Sequence, residues 1–208
     1  LFARSICLVS SLEDTYVSRS IGEASRAMCE GELRQVQSRG NYDMSEQEYL
    51  DIITAKTAAL CSCCCRLGAY CAGAGVELQE LFGRYGRQLG IAFQIIDDVL
   101  DLAGDERCMG KSLGTDLAKQ KPTMPVIRLL SQSTVEERAR LIAILSAGGN
   151  HHREALGPWL KNSDALLYAQ QRAEWYARRA KQELEPTPAG SARDALRGLA
   201  DFVVQRQQ

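Results

Sequence analysis

This chain has few histidines, almost no net charge and no long apolar run. The 208 residues include only two histidines, His151 and His152, which lie far along the chain from the main group of cysteines. The formal net charge is −1, so no broad field is available to attract nucleic acid or a membrane surface. No apolar run approaches the ~20 residues of a membrane span, and the first residues show no signal-peptide pattern. We therefore expect no nucleic-acid partner and no integral membrane segment.

Cysteine, by contrast, is frequent, but its placement argues against a disulfide framework. Four of the eight cysteines crowd into residues 61–65, where neighbouring side chains on a helix point in different directions. Paired C-x₂-C knuckles do not occur, so a zinc site is not indicated either. We expect small, buried, reduced thiols that fill contacts between helices, as in a protein of the reducing cytoplasm.

The remaining composition is typical of one globular domain. Hydrophobic residues make up 45% of the chain and charged residues 25%, and 208 residues can bury one substantial core. The apolar spacing is helical, without hairpin signals, which predicts a single all-α domain over residues 1–208. One predicted helix begins at a cap, either Asp14 or Ser18, and ends at about 38, and another begins at a capping box of Ser45 and Glu48 and ends at about 72. The other predicted helices cover 1–12, 78–103, 126–130, 134–146, 163–184 and 191–205. A Gly-rich loop is predicted over 104–119.

An acidic stretch inside an apolar run is the feature around which the chain is organised. Asp97 and Asp101 share one face of a predicted helix, and Asp98 lies one step round. Like charges at this spacing destabilise a helix by about 0.2–0.5 kcal/mol per pair, and burying unpaired carboxylates costs much more. A cation is therefore expected beside them, and hard oxygen ligands suit Mg²⁺ bridging to a phosphate-bearing substrate. An exposed acidic patch on a surface helix is the alternative that this pattern alone leaves open.

Further motifs on both sides of the acidic stretch narrow the interpretation. Phe93-Gln94 precedes the aspartates and Lys56-Thr57 lies upstream, while the runs GKSLGTD and KQKPTMP follow at 110–116 and 119–125. With these motifs the chain resembles the trans-polyprenyl diphosphate synthases, in register from residue 1 to about residue 130. The acidic stretch resembles the second aspartate-rich motif of that family. The resemblance implies an isoprenoid-synthase-like helical bundle, here lacking the N-terminal helices that carry the first such motif.

The same resemblance implies a magnesium-dependent trans-prenyltransferase. Enzymes of this family condense an allylic diphosphate with isopentenyl diphosphate and so lengthen a linear trans-polyprenyl diphosphate. The chain is accordingly expected to be the C-terminal portion of a cytoplasmic, homodimeric enzyme from the longer-chain branch. Because the first aspartate-rich motif is not among these 208 residues, we expect them to be inactive in elongation by themselves.

Individual site residues are likewise implied by the resemblance. Asp97, Asp98 and Asp101 match the metal-binding residues, with Asp97 contacting Mg²⁺ directly and the other two largely through water. The side chains expected to bind the diphosphate are Lys56, Gln94, Lys111 and Lys121. Those expected to act in catalysis are Lys56, Thr57 and Gln94, with the oxygen of Thr57 facing the developing carbocation. Lys56 and Gln94 both lie among apolar neighbours, where a polar group requires a partner.

Several alternatives remain open at this point. Two interpretations stay open for Asp116, which is either a residue of the site or a hydrogen-bonding loop residue. Two also stay open for Glu30 and Glu32, which either support the site residues from behind or form a solvated helix face. A non-catalytic partner subunit of a heteromeric synthase is a second interpretation, against which the intact aspartate motif counts. A class I terpene cyclase is a third, although such cyclases usually have Ser or Thr where this chain has Asp101, and Glu where it has Asp105.

Overall fold

Helices form the regular structure of the described chain. The computed structural model describes residues 2–103, 114–147 and 152–206, and these ranges contain no β-strand, which confirms the all-α prediction. A π-helical turn, Thr54–Ala58, joins the third and fourth helices. The helices are α1 (Phe2–Ser10), α2 (Thr15–Gln37), α3 (Glu46–Ile53), α4 (Ala59–Cys71), α5 (Val76–Ala103), α6 (Thr115–Ala118), α7 (Met124–Gln132), α8 (Val135–Ser146), α9 (His152–Lys161), α10 (Ala165–Glu183) and α11 (Ser191–Gln205).

Capping side chains set the starts of several helices where the sequence predicts them. The Asp14 carboxylate accepts hydrogen bonds from the first backbone amides of α2, so Asp14 and not Ser18 is the cap. Ser45 and Glu48 form a reciprocal capping box at the start of α3. A carbonyl, carboxylate or hydroxyl oxygen at this position satisfies amides that have no partner within the helix.

Two helices are absent from the sequence-based prediction. Helix α9 contains Pro158, which lacks an amide hydrogen and disfavours a helix interior. It forms because Leu156 and Leu160 are buried in the same apolar cluster as residues of α7 and α8. Helix α6 lies within the predicted loop 104–119, and a contact with α5 holds its first turn, as described below. The rest of that predicted loop, residues 104–113, lies outside the described residues.

Helix α5 lies at the centre of the bundle, packed mainly against α4 and α10. The contact with α10 uses a stripe of small side chains that repeats at intervals of three or four residues, so that they share one helix face. All of them are at most 2% exposed: Ala165, Ala169, Ala173, Ala177 and Ala180. The position of α5 between these helices puts the acidic stretch in the interior and not on an outer surface.

Glycine allows α5 to approach the chain of the π-helical turn and α4 closely. A Cβ atom at Gly86 would lie 2.4 Å from the carbonyl oxygen of Cys61, and one at Gly90 would lie 2.7 Å from the Cα of Ala58. Real Cβ atoms do not tolerate such distances, so any larger residue would push the helices apart. The close approach brings the next turn of α5, with Gln94, to the π-helical turn.

The helical run Glu46–Cys71 is long and apolar enough, by length and composition only, to span a membrane. Within the bundle it packs against α2 and α5, and it carries the ion-paired Lys56. A core helix of a soluble protein meets the same criteria, so the run is weak support for a membrane segment.

The prediction of buried thiols is wrong for most cysteines. All seven described cysteines are free, as expected, but Cys63 alone among them is buried. Four of them are exposed: Cys7, Cys29, Cys64 and Cys71. Consecutive residues of α4 face different directions, so the cluster at 61–65 cannot be buried as a unit.

Candidate functional site

The π-helical turn presents Lys56 and Thr57, and Gly31 of α2 packs directly against it. A Cβ at Gly31 would lie 2.5 Å from the backbone nitrogen of Lys56, so a larger residue would force α2 away. π-Helical turns are rare within helices and often occur at functional sites. The glycine between Glu30 and Glu32 is therefore a requirement of the close packing of α2 at this position.

Polar side chains of α2 hold the Lys56 ammonium. Its Nζ donates to the Oε1 of Gln35 and lies 2.7 Å from the Oε2 of Glu32, while 29% of the side chain is exposed. The hydrogen bond and positive charge of Lys56 lower the pKa of Glu32 below its ordinary value. Glu32 is thus a direct partner of a candidate site residue, whereas Glu30 pairs with Arg26 on the exposed face of α2.

Thr57 and Gln94 are linked across the contact between the π-helical turn and α5. The Thr57 hydroxyl donates to the Oε1 of Gln94 at 2.8 Å, and the Nε2 of Gln94 donates to Asp98 at 3.0 Å. The amide therefore has both ends engaged, which meets the requirement of a polar group among apolar neighbours.

Asp98 is fully buried and is surrounded by donors. Its Oδ2 accepts from the Tyr49 hydroxyl at 2.7 Å, and its Oδ1 accepts from Gln94 and from the Nζ of Lys121, the latter at 2.8 Å. Burial raises the pKa of Asp98 because the charged form loses water, and the Lys121 ammonium opposes that rise. Burial and the nearby carboxylate hold the pKa of Tyr49 well above its usual range, so its hydroxyl remains a donor.

Lys121 bridges two carboxylates. Its Nζ also donates to the Oδ2 of Asp116 at 2.9 Å, and the residue is only 8% exposed. Burial by itself would lower the pKa of Lys121, but the charges and hydrogen bonds of Asp98 and Asp116 outweigh it and raise the pKa above its ordinary value. Gln120 just before it has a left-handed backbone, with φ of 52°. Asp116, left open by the sequence, is a half-buried partner of Lys121.

Asp101 holds the start of α6. Its Oδ1 accepts from the hydroxyl of Thr115 at 3.0 Å, and its Oδ2 accepts from the backbone amide of Asp116, also at 3.0 Å. The residue is 4% exposed. Asp97 is half-buried and is the most exposed of the three aspartates.

The aspartates differ, therefore, in what they are able to bind. Among the described residues, no three His, Cys, Asp or Glu side chains are grouped so that they could hold a metal ion. Mg²⁺, however, is often bound by one or two carboxylates, with waters and substrate phosphates completing its coordination. Oxygen donors led by the partly exposed Asp97 fit that mode of binding, and they do not fit a cage made of protein ligands alone.

Most of the predicted site residues converge in space. Lys56 and Thr57 share one helical turn, and Thr57, Gln94, Asp98 and Lys121 form one hydrogen-bonded chain. Lys111 and His151 lie outside the described residues, and His152 is buried. Sequence reasoning missed Tyr49 and Gln35, which are single polar residues on helix faces and carry no local signal of their distant partners.

A family model and two curated relatives match this chain and agree on its family. The family model described as "Polyprenyl synthetase" matches residues 1–157. The octaprenyl diphosphate synthase of Escherichia coli is 34% identical over 210 residues, an alignment that covers 100% of this chain and 65% of the relative. A short chain isoprenyl diphosphate synthase of Methanothermobacter thermautotrophicus is 36% identical, with 86% of this chain and 55% of the relative covered.

A solved structure is also closely similar. The polyprenyl synthase from Caulobacter crescentus CB15, complexed with calcium and isoprenyl diphosphate, superposes with a TM-score of 0.92 at 33% identity. The match covers 100% of this chain and 64% of the Caulobacter chain. The present chain thus spans between about half and two thirds of the length of these three proteins, from 55% to 65%.

Proposed function

The chain belongs to the polyprenyl synthetase family, and we propose that it forms part of a trans-prenyltransferase. The proposed reaction condenses an allylic diphosphate with isopentenyl diphosphate and so lengthens a linear trans-polyprenyl diphosphate. The observation that carries the proposal is the continuous polar chain from Thr57 through Gln94 and Asp98 to Lys121, inside an otherwise apolar bundle. Relatives named for octaprenyl and short-chain isoprenyl diphosphate synthesis support it.

In this proposal Lys56, Gln94, Lys111 and Lys121 bind the diphosphate of the allylic substrate. Lys56 is suited to direct contact because its side chain is 29% exposed. Lys121 is nearly enclosed and already neutralises two carboxylates, so we assign it to the base of the site. Cationic side chains near a leaving diphosphate stabilise the charge that develops as its bond to carbon breaks.

Thr57 is suited to face the positive charge on the allylic carbon. Its hydroxyl proton is donated to Gln94, so the oxygen keeps lone pairs that can stabilise a neighbouring cation. The Oε1 of Gln94 faces Thr57 and accepts this hydrogen bond because the Nε2 of Gln94 donates to Asp98. The hydrogen bonds from Thr57 to Gln94 and from Gln94 to Asp98 therefore orient the Thr57 hydroxyl.

We propose Mg²⁺ as the metal, held chiefly by Asp97, with Asp98 and Asp101 contributing largely through bound water. When bound, it would neutralise charge on the departing diphosphate. The Caulobacter relative is complexed with calcium, which supports an oxygen-ligated divalent ion. We further propose a cytoplasmic homodimer, since all seven described cysteines are free thiols and α1 exposes apolar side chains.

Ligand-induced thermal stabilisation tests the proposed function. A ligand that binds only the folded state raises its stability, by about 2.7 kcal/mol at a hundredfold excess over Kd. We expect Mg²⁺ with inorganic pyrophosphate to raise the Tm of the chain, and Asp97→Ala to abolish the rise. Differential scanning fluorimetry with Mg²⁺ alone, pyrophosphate alone and both together measures this.

The matched control is Asp51→Ala, which removes an exposed carboxylate from α3. The Asp51 carboxylate accepts a hydrogen bond from the side chain of Gln47, one turn earlier on the same helix. This variant should keep the full rise in Tm. Absence of any rise in the unaltered chain at saturating ligand would contradict the proposal, and an equal loss in both variants would contradict the role of Asp97.

A further inference from the structure

Tyr49 connects the helix that leads into the π-helical turn to the acidic stretch of α5. It lies on α3, is 2% exposed, and donates its hydroxyl proton to the Oδ2 of Asp98 at 2.7 Å. Its ring lies in the apolar cluster that contains Ile53, Ile95 and Ile96. The ring is thus held by packing, and its hydroxyl has a defined position relative to α5.

The hydroxyl of Tyr49 contacts one oxygen of the Asp98 carboxylate, and the donors of the candidate site contact the other. Rotation about the last bond of an aspartate is broad and nearly two-fold, so packing alone does not fix it. Gln94 and Lys121 both donate to Oδ1, while Tyr49 is the one side chain of the described residues that donates to Oδ2. With one oxygen held from the side of α3, the other is directed at the two groups that belong to the candidate site.

The orientation of Asp98 in turn affects the orientation of Gln94 and Lys121, the two groups proposed to bind the diphosphate. Gln94 uses its amide nitrogen on Asp98, and for that reason presents its oxygen to Thr57. Lys121 is held between Asp98 and Asp116, which places its charge at the base of the site. Both side chains have other rotamers, and Asp98 selects one of them.

We propose that Tyr49 is a positioning residue of the diphosphate site, acting through Asp98 on Gln94 and Lys121. The inference rests on the proposed function, since it names a further residue of the same site. Tyr49 itself is buried and has no contact with substrate in this scheme. Residues behind a metal site that orient its direct ligands typically affect metal affinity or activity by about 10–100-fold, and we expect an effect of similar size here.

A second buried tyrosine provides a matched control. Tyr85 on α5 is fully buried, and its hydroxyl donates to the backbone carbonyl of Leu196 at 2.8 Å, in a different apolar cluster. Tyr49→Phe and Tyr85→Phe each remove one buried hydroxyl and keep the ring. Both variants should lose stability, so stability alone does not separate positioning from a structural role.

Affinity for inorganic pyrophosphate in the presence of Mg²⁺ separates the two. Isothermal titration calorimetry is done well below the Tm of every variant, with folding checked by circular dichroism. We expect Tyr49→Phe to weaken pyrophosphate binding about tenfold, and Tyr85→Phe to leave it within about twofold of the unaltered chain. Equal affinity in Tyr49→Phe and the unaltered chain would overturn the proposal for Tyr49 and leave the proposed function intact. Failure of the unaltered chain to bind would overturn the proposed function and this inference with it.

A double-mutant cycle of Tyr49→Phe and Asp98→Asn tests whether Tyr49 acts through Asp98. The same cycle provides the test if Tyr49→Phe does not fold as a single variant. The neutral amide removes the buried charge that would otherwise lose a donor. In the Asp98→Asn background, Tyr49→Phe should change pyrophosphate affinity by less than about twofold, since the group it orients is already altered. A further tenfold loss in that background would show that Tyr49 acts independently of Asp98, against the proposal.

Discussion

Buried charge is the dominant feature at the scale of single residues. Lys121 neutralises Asp98 and Asp116, and all three lie largely out of contact with solvent. The sequence identifies Lys121 through its motif, as a diphosphate-binding lysine, but its two carboxylate partners depend on contacts between distant segments. That it also meets a diphosphate stays a prediction.

Removal of Lys121 should be strongly destabilising. Lys121→Met would leave two carboxylates without their shared cation in a buried setting, where breaking such a pair costs about 3–5 kcal/mol. Urea unfolding at neutral pH should show a loss of that order in the free energy of unfolding.

Lys181→Met provides the comparison for Lys121→Met. Among the described residues Lys181 pairs with one carboxylate, that of Asp201, at 2.5 Å, and both side chains are more exposed than those of the Lys121 cluster. Because partly exposed ion pairs contribute roughly 0–1 kcal/mol, this variant should lose less than about 1 kcal/mol. Similar losses in the two variants would contradict the view that Lys121 neutralises a buried cluster.

Close packing governs the structure at the scale of elements. Gly31 brings α2 to the π-helical turn, and Gly86 and Gly90 bring α5 to the same part of the chain. These contacts bring Gln94 of α5 to Lys56 and Thr57 of the π-helical turn. Sequence reasoning identified the three residues by their motifs, but not the glycines that bring their helices together.

Alanine at Gly90 should separate α5 from the π-helical turn. The added Cβ would lie 2.7 Å from the Cα and 3.1 Å from the Cβ of Ala58, which are not flexible groups. Overpacking of this kind typically costs about 1–3 kcal/mol, and we expect Gly90→Ala to lower the free energy of unfolding by that amount.

Gly68→Ala is the control for Gly90→Ala. Gly68 also lies within a helix, α4, and a Cβ there would meet nothing within 4 Å. Alanine in an open helix interior is favoured over glycine by about 0.5–1 kcal/mol, so this variant should be more stable than the unaltered chain. Urea unfolding of both variants measures the pair, and a stabilised Gly90→Ala would contradict the close contact.

At the scale of the whole molecule, the main feature is the apolar surface exposed on and next to α1. Leu8 on α1 is 65% exposed, and Ile6, Leu12 and Tyr16 nearby are also exposed. An apolar surface of this kind is often an interface, and the proposed homodimer would cover it. We also propose that the chain folds as one unit, since α5 contributes to several of its apolar clusters.

Leu8→Glu should weaken the dimer. Size-exclusion chromatography with light scattering should give twice the chain mass of 22.9 kDa for the unaltered chain, and a shift toward 22.9 kDa for the variant. Val135→Glu, at an 87% exposed apolar position on α8, should stay dimeric. A monomer in the unaltered chain at micromolar concentration would contradict the homodimer.

The sequence by itself determined the helical class, most helix boundaries and the identity of the acidic stretch, because helical periodicity, capping and short motifs are local properties. Only the tertiary structure decided that Asp98 is enclosed by Tyr49, Gln94 and Lys121, and that Asp101 holds α6. Tertiary packing also decided helix α9, which forms despite Pro158 because Leu156 and Leu160 are buried in an apolar cluster. Burial, close helix approach and hydrogen bonds between distant residues depend on which segments meet, and that information is not contained in any single stretch of the chain.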